Sequence, residues 1–555
     1  MKKFEWVTPE ARVFLSRGYI QNQTVEERYW DISQRVEELS GIKGIAESVF
    51  EYSRRGLLSF SSPILSNFGK NTGLPISCNF GVVDDTLQSI LSGLHEMGML
   101  AKGGAGTAKH MSAIRPVGSP YGKDGLGISE GMVSWIKEYA NIINKVTQGG
   151  VRRGFLSVYC DADHDEIDNF LNIGANGDPN NASGYGIQNI TTGVTIPKGW
   201  MQSMLDGDKK KRSIWAKILK RRSEIGFPYI LFADNCNENK PQVYIDKGMD
   251  IFTSNICTEV IEYCDSEKEF TCCLMSLNLI HYDEWPEDLI WLANIILDCV
   301  LTEYLEKTDG KSGYEKARKF VEEHRAIGLG VIGFHSLLQS KMIPFGSIQS
   351  YQLNDKIFKQ LREQSDYASR WMAEHWGEPE VLKGYGLRNT TRLAIAPTKS
   401  TSFIMGDVSK GVELEKSNYL EKRLAKIQVT HKNPYLKAVL ENHGEDNRSI
   451  WKSILDHNGS VQHLEFLTEL EREVFKTFSE CSQADVIKLA AQRQKYIDQG
   501  QSINLMMHPK TPPKDVHNLI VDAWQSGLKT LYYQYSINAA QQFNESLMQC
   551  SSCEG

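Results

Sequence analysis

The sequence predicts an α/β protein. Short apolar runs with strand character alternate with amphipathic stretches of helical period, and glycine-rich turns separate the two. No internal repeat interrupts this order.

Composition bounds what the chain can be. With 555 residues, 41% of them hydrophobic, there is ample material for a buried core. A net charge of -7 argues against a chain-wide nucleic-acid footprint. No apolar run reaches bilayer length and Met1-Lys2-Lys3-Phe4-Glu5 opens no signal peptide, so no membrane partner is expected. Eleven cysteines in such a chain imply a reducing compartment, the cytoplasm, with thiols kept for chemistry or packing.

Local signals justify the elements in turn. Residues 8 to about 58 read as helical: Thr8-Pro9-Glu10 supplies an N-cap and a proline at the first helical position, and Ile42, Ile45, Val49 and Phe50 share a face. Ser61 to Asn67 reads as a polar-rimmed loop, and Pro75 to Phe80 as a short strand carrying Ser77 and Cys78. Asp84-Asp85-Thr86-Leu87 starts a helix with acids where the dipole favours them, continued by Leu91, Leu94 and Met97. The glycine-rich Lys102-Gly103-Gly104-Ala105-Gly106-Thr107 lacks both the ending of a P-loop and the dinucleotide spacing. Arg115 stands in a turn-rich loop. Residues 174–189 form a long stretch of low hydrophobicity, of the kind functional loops use, before a strand at Thr192 to Ile196. The basic run Lys209 to Arg212 reads as a solvated turn.

Thr253 to Val260 is where the chemistry concentrates. Asn255, Cys257 and Glu259 occupy every second position, so on an extended segment an amide, a thiol and a carboxylate face one volume. Alone, the pattern fits an edge strand with a polar face better than a reactive site, and the rest of the chain reverses that order. Thr271-Cys272-Cys273-Leu274 follows, then a helical run at 286–305 and a strand within Ala326 to Phe334. A buried strand at Leu393 to Ala396 leads into Pro397-Thr398-Lys399-Ser400-Thr401-Ser402, a hydroxyl-rich turn able to offer N–H groups and hydroxyls to an anion. Tyr532 and Tyr533 follow Gly527-Leu528-Lys529-Thr530, and Cys550-Ser551-Ser552-Cys553 lies in a polar, unpatterned tail.

In this order the motifs resemble the catalytic (large, alpha) subunit of ribonucleotide reductases, most similar to class I, from about Ser62 to Gln534. The resemblance implies a ten-stranded α/β barrel of two five-stranded halves with Cys257 on a central loop. It implies a helical region at 1–60, the barrel at 61–538 and a flexible redox tail at 539–555. It assigns a thiyl radical to Cys257, general-base catalysis to Glu259 and ribose binding to Asn255. Cys78 and Cys272 become the redox pair. Cys273 adjoins Cys272, and the spacing to Asn278 favours Cys272. Cys550 and Cys553 match the shuttle pair served by thioredoxin or glutaredoxin. Ser62, Ser77, Gly104 and Pro397, Thr398, Lys399, Ser400 and Thr401 match the substrate site, although Lys399 stands where some class I members carry an acid. Cys160, Cys236, Cys264, Cys299 and Cys481 are left as packing residues.

The resemblance also implies partners and control. Tyr532 and Tyr533 match the tyrosine pair that receives a radical from a small (beta) subunit with a dimetal centre of iron or manganese. Asp85, Thr86, Leu87 and Arg115 match the specificity site, where a dNTP or ATP binds at a homodimer interface, and 175–189 would be its second loop. No ATP-cone precedes the barrel sequence, which implies specificity control without cone-mediated shut-off by dATP. No metal site is expected on this chain, since no second Cys-x-x-Cys occurs. A cobalamin-dependent class II enzyme and a catalytically inactive regulatory homologue are the alternatives. The complete set of cysteines, Glu259 and both tyrosines speaks against the second. The expected location is the cytoplasm, a host's if the chain is viral.

Overall fold

The computed structural model describes residues 4–20, 22–148, 152–173, 190–424, 427–536 and 541. Its central strands are β1 (Leu58–Phe60), β2 (Cys78–Val82), β3 (Gly106–His110), β4 (Leu156–Asp161), β5 (Ile190–Ile196), β6 (Tyr229–Phe232), β7 (Phe270–Thr271), β8 (Leu274–Asn278), β9 (Gly328–Ile332), β10 (Leu505–Met507), β11 (Thr530–Leu531) and β12 (Gln534–Ser536). In the first sheet β2 to β6 run parallel in sequence order, flanked by the short antiparallel strands β7 beside β2 and β11 beside β6. The second sheet pairs β1 antiparallel to β8, and β8 parallel to β9. Parallel bridges from Leu329 to Leu393 and from Ile395 to Gln501 extend it. Segments 391–396 and 499–502 thus complete a second half of five.

The two halves close on one interior. Cys78 and Phe80 of β2, Ala108 of β3, Tyr159 of β4, Tyr229 of β6, Leu274 of β8, and Ala394 and Ala396 enter one buried cluster with Ile256 and Cys257. Leu156, Val158 and Cys160 of β4 instead face the outer helices. A period of two places a strand's alternate residues on opposite sides, and covering both sides keeps a parallel sheet dry. The α/β barrel with a loop through its centre is the architecture observed.

Helices wrap the outside. Leu289–Thr308 is apolar almost all round and is buried along its length under β8 and β9. A helix with no polar face is stable only inside; each fully buried Leu or Ile there is worth about 2 kcal/mol. Ile348–Trp376 packs across it. No helix among the described residues is long and apolar enough to cross a membrane.

Several local expectations change. The N-terminal run is three helices, Pro9–Ser16, Val25–Ser40 and Ile45–Arg54, and Gly56 at φ +75° then turns the chain into β1. Ser62–Asn67 is a buried helix rather than a loop: Pro63 sits in its first turn, and Arg28 donates to Leu65 O at 2.8 Å and Ile64 O at 3.0 Å, capping its carbonyl end. The basic run opens the helix Lys209–Ile225, because Asp208 caps it by accepting from Lys211 N at 3.0 Å. In the helix Leu87–Lys102, Ile90 and Met97 face inward while Leu91 is exposed.

Candidate active site

Thr253 to Val260 enters the barrel as a turn, not as the extended segment expected. Asn255 N donates to Val260 O at 3.1 Å, and Val260 N returns to Asn255 Oδ1 at 3.1 Å. At the tip, Thr258 takes φ +69°, a left-handed conformation that β-branched residues rarely adopt. Three contacts hold it there. Ser502 Oγ donates to Cys257 O at 2.6 Å, Thr530 Oγ1 to Thr258 O at 2.8 Å, and Gly500 N to Glu259 O at 2.8 Å. Glycine is required at 500, since a Cβ would stand 2.8 Å from Thr258 O. A Cβ on Gly193 of β5 would meet the ring of Tyr159 at 2.3 Å, and the hydroxyl of that ring donates to Asn255 O at 2.7 Å.

The turn brings amide and carboxylate together. Asn255 Nδ2 donates to Glu259 Oε1 at 2.9 Å and reaches Cys78 Sγ at 3.5 Å. Glu259 also accepts from Ser502 Oγ at 3.1 Å through Oε2. Burial is the largest influence on this carboxyl and pushes its pKa up to about 7, against its own backbone N–H and the donors Asn255 and Ser502, which pull it down.

Cys78 and Cys272 meet because β7 pairs with β2. Thr271 lies opposite Asn79, Cys272 N donates to Cys78 O at 2.8 Å, and Ser77 N donates to Cys272 O at 3.1 Å. The two sulfurs form a disulfide across Cα atoms 5.1 Å apart. Cys273 points the other way, into the outer core, where its thiol donates to Leu297 O at 3.3 Å. Cys160, Cys236, Cys264 and Cys299 are buried, and Cys481 is half-buried. Burial pushes the thiol of Cys236 up to about 12.

Beside this interior stands an aromatic array. Tyr532 and Tyr533 have ring centroids 4.4 Å apart, and Tyr229 lies 4.7 Å from the first and 5.1 Å from the second. Tyr532 shares the cluster that holds Cys257, Cys78 and Cys272, and Tyr533 packs against it. Buried Arg222 donates to Tyr532 O at 3.1 Å and also to Pro228 O, tying Tyr532 to the segment that leads into Tyr229.

The hydroxyl-rich turn is the start of the short helix Lys399–Ile404, which packs against β1. Thr398 Oγ1 accepts from Gly411 N at 2.9 Å, while Pro397 and Lys399 are half-buried. The buried hydroxyls of Ser400 and Thr401, and those of Ser59, Ser61 and Ser62 at the end of β1, have no partner among the described residues. Buried hydroxyls are ordinarily satisfied, so a ligand with acceptor oxygens fits here. Gly104, at φ +91°, ends the helix Leu87–Lys102, two residues before Gly106, whose N–H donates to Ser77 O at 3.0 Å.

The far end of that helix forms a separate place. Thr86 caps it by accepting from Ser89 N at 3.1 Å, and Arg115 Nε donates to Asp85 Oδ2 at 2.6 Å. Leu87, Leu91, Val117, Tyr121, Leu126 and Ile128 are exposed around this pair. Residues 175–189, Cys550 and Cys553 lie outside the described residues. Sequence reasoning missed Ser502, Tyr159 and Tyr229. Gly500 and Gly193 were the available signals, since glycine in a strand marks a close approach.

Fold and site define an α/β barrel whose interior brings together a Cys78–Cys272 disulfide, Cys257 and the Asn255–Glu259 pair. The ribonucleotide reductase barrel-domain family matches residues 76–211, 206–381 and 375–534. The solved alpha subunit of the Actinobacillus ureae class Id ribonucleotide reductase superposes with a TM-score of 0.90 at 44% identity, covering 99% of this chain and 100% of that one. A Frog virus 3 chain is 31% identical over 99% of both sequences. The ribonucleoside-diphosphate reductase large subunit of Invertebrate iridescent virus 3 is 30% identical, covering 88% of this chain and 87% of its own. The chain belongs to the ribonucleotide reductase family, among its large subunits.

Proposed function

We propose that this chain reduces ribonucleoside diphosphates to 2′-deoxyribonucleoside diphosphates by thiyl-radical chemistry. The observation that carries the reading is the Cys78–Cys272 pair lying against the Asn255–Glu259 pair on the turn that presents Cys257. Cys257, as a thiyl, takes the 3′ hydrogen of the ribose, and Glu259 accepts the 3′-OH proton. A pKa near 7 suits a group that takes and returns a proton at neutral pH. One thiol of the Cys78–Cys272 pair protonates the departing 2′-OH, which leaves as water. The pair supplies two electrons and ends as the disulfide, and Cys257 returns hydrogen to the 3′ carbon. Asn255 orients the ribose hydroxyls. The buried interior keeps water from the radical.

Pro397, Thr398, Lys399, Ser400 and Thr401 would hold the substrate phosphates, with Ser62, Ser77 and Gly104 lining the approach; the unpartnered hydroxyls support this. The tail pair Cys550 and Cys553 would reopen the disulfide by exchange, followed by thioredoxin or glutaredoxin. Tyr532 and Tyr533 would bring the radical from a small subunit whose iron or manganese centre generates it. An apolar cleft of about 1180 Å³ is lined by Gln534 and Ser536, next to those tyrosines, with Lys220, Lys510 and Lys514 at its rim. It suits docking of that subunit through an acidic, partly apolar segment. Asp85, Thr86, Leu87 and Arg115 would bind a dNTP or ATP, and the exposed apolar residues around them suit a homodimer. The cytoplasm is where such substrates are met.

The test is reduction of CDP, with ATP or dATP as effector and dithiothreitol as reductant, in two parallel reactions. One contains adenosylcobalamin, the other a small subunit loaded with iron or manganese. Product only with the small subunit supports class I and the tyrosine path. Product only with cobalamin makes the enzyme class II and removes the tyrosine assignment. No product in either leaves the inactive-homologue reading.

A further inference from the structure

Two tyrosines suffice for a relay between partner and thiol, yet a third ring lies on the outer one. Tyr535 stands 5.8 Å from Tyr533 between centroids, with 13° between planes, an offset stack. It is half-buried on β12, between the cleft residues Gln534 and Ser536. The ammonium of Lys416 sits 3.4 Å from the centroid of the Tyr535 ring.

From this geometry we infer that Tyr535 and Lys416 are positioning residues that form a redox-silent cap on the tyrosine pair. The inference rests on the reading of Tyr532 and Tyr533 as the radical path. The ring of Tyr535 fixes the plane of Tyr533 by stacking. Lys416 keeps Tyr535 itself out of the relay. A cation over an aromatic face is attracted to its π density, and oxidising the ring thins that density, so the ammonium makes Tyr535 harder to oxidise than it would be alone. The step being suppressed is a hydrogen-atom transfer. The O–H bond of Tyr535 would break and that of Tyr533 would form, oxidising Tyr535 by one electron and reducing the Tyr533 radical by one. A radical so placed on a half-buried ring would be quenched by a solution thiol such as the assay's dithiothreitol. It would not return to Cys257.

The experiment uses the holoenzyme with its small subunit and compares Lys416→Gln, Tyr535→Phe, Tyr535→Ala and the double variant Lys416→Gln/Tyr535→Phe. Initial rate, KM and the number of turnovers completed per radical are measured, the radical being followed by electron paramagnetic resonance. Lys416→Gln is expected to keep its initial rate and to lose the radical about three- to tenfold faster per turnover. Tyr535→Phe and the double variant, which lack the transferable hydrogen, retain the radical like the parent enzyme. Tyr535→Ala lowers kcat with KM unchanged, and the Phe variant rescues it. Loss of turnover in Tyr535→Phe would make Tyr535 a carrier and overturn the proposal. So would unchanged radical survival in Lys416→Gln, or a double variant that inactivates as quickly as Lys416→Gln. Full activity in Tyr533→Phe, run alongside, would instead remove the radical-path reading on which the cap rests.

Discussion

Replacing Ser502 by alanine tests the role of Glu259 without touching Glu259. The serine hydroxyl has one hydrogen and two acceptors, Cys257 O at 2.6 Å and Glu259 Oε2 at 3.1 Å. A hydrogen bond to a charged group contributes about 1.5–3 kcal/mol, and sharing the hydrogen leaves about 1 kcal/mol on the carboxylate. That contribution favours the charged form. Its loss therefore moves the titration midpoint of Glu259 up by about 0.7 pH from its value of about 7. A general base works deprotonated, so the rate rises with pH through this midpoint and falls below it. At pH 7 the carboxylate fraction drops from about half to about a sixth, so kcat drops about threefold and is regained by about pH 9. The assay is initial-rate CDP reduction at saturating substrate and effector across that range, for parent and variant. An acid limb that stays in place while kcat falls equally at every pH would refute the reasoning, because Ser502 would then act only by holding the turn.

Other outcomes follow from the same geometry. Cys272→Ser should abolish multiple turnover, whereas Cys273→Ser should keep activity and lose about 1–2 kcal/mol of stability in urea unfolding, since Cys273 fills the outer core. Tyr532→Phe and Tyr533→Phe keep the rings and remove the O–H; each should lower CDP reduction by at least about a hundredfold while calorimetry finds nucleotide binding intact. Arg115→Ala removes the partner of Asp85 and should weaken effector-dependent switching between CDP and GDP reduction by about tenfold in effector concentration, with the basal rate retained.

Much of the fold was legible because it rests on local patterning. The strands at Cys78, Thr192 and Gly328 announced themselves as apolar runs bounded by glycine and polar turns, and their placement held within a few residues. Ser62–Asn67 was not legible as a helix, because what stabilises its carbonyl end is Arg28, far away in sequence. The turn at Cys257 was misread for a related reason. Alternation of Asn255, Cys257 and Glu259 suggested an extended chain, but Thr258 is held in a left-handed conformation by Ser502, Gly500 and Thr530, all more than two hundred residues on. Juxtaposition of Asn255 and Glu259 was expected; the means was not. No periodicity could separate Cys272 from Cys273, while the pairing of β7 with β2 places their sulfurs on opposite sides.

The fastening of the turn has a mechanical corollary. Of its anchors, Thr530 lies on the strand that carries the chain into Tyr532, and Gly500 and Ser502 lie on the segment whose Ile503 O accepts from Tyr532 N at 2.8 Å. Thiol and inner tyrosine are therefore gauged against one datum rather than two. Were an effector to bind at the helix Leu87–Lys102, or a partner in the cleft, as proposed, its push would carry both ends of the gap together. The outer shell can breathe and bind, while the span between Cys257 and Tyr532 keeps its length.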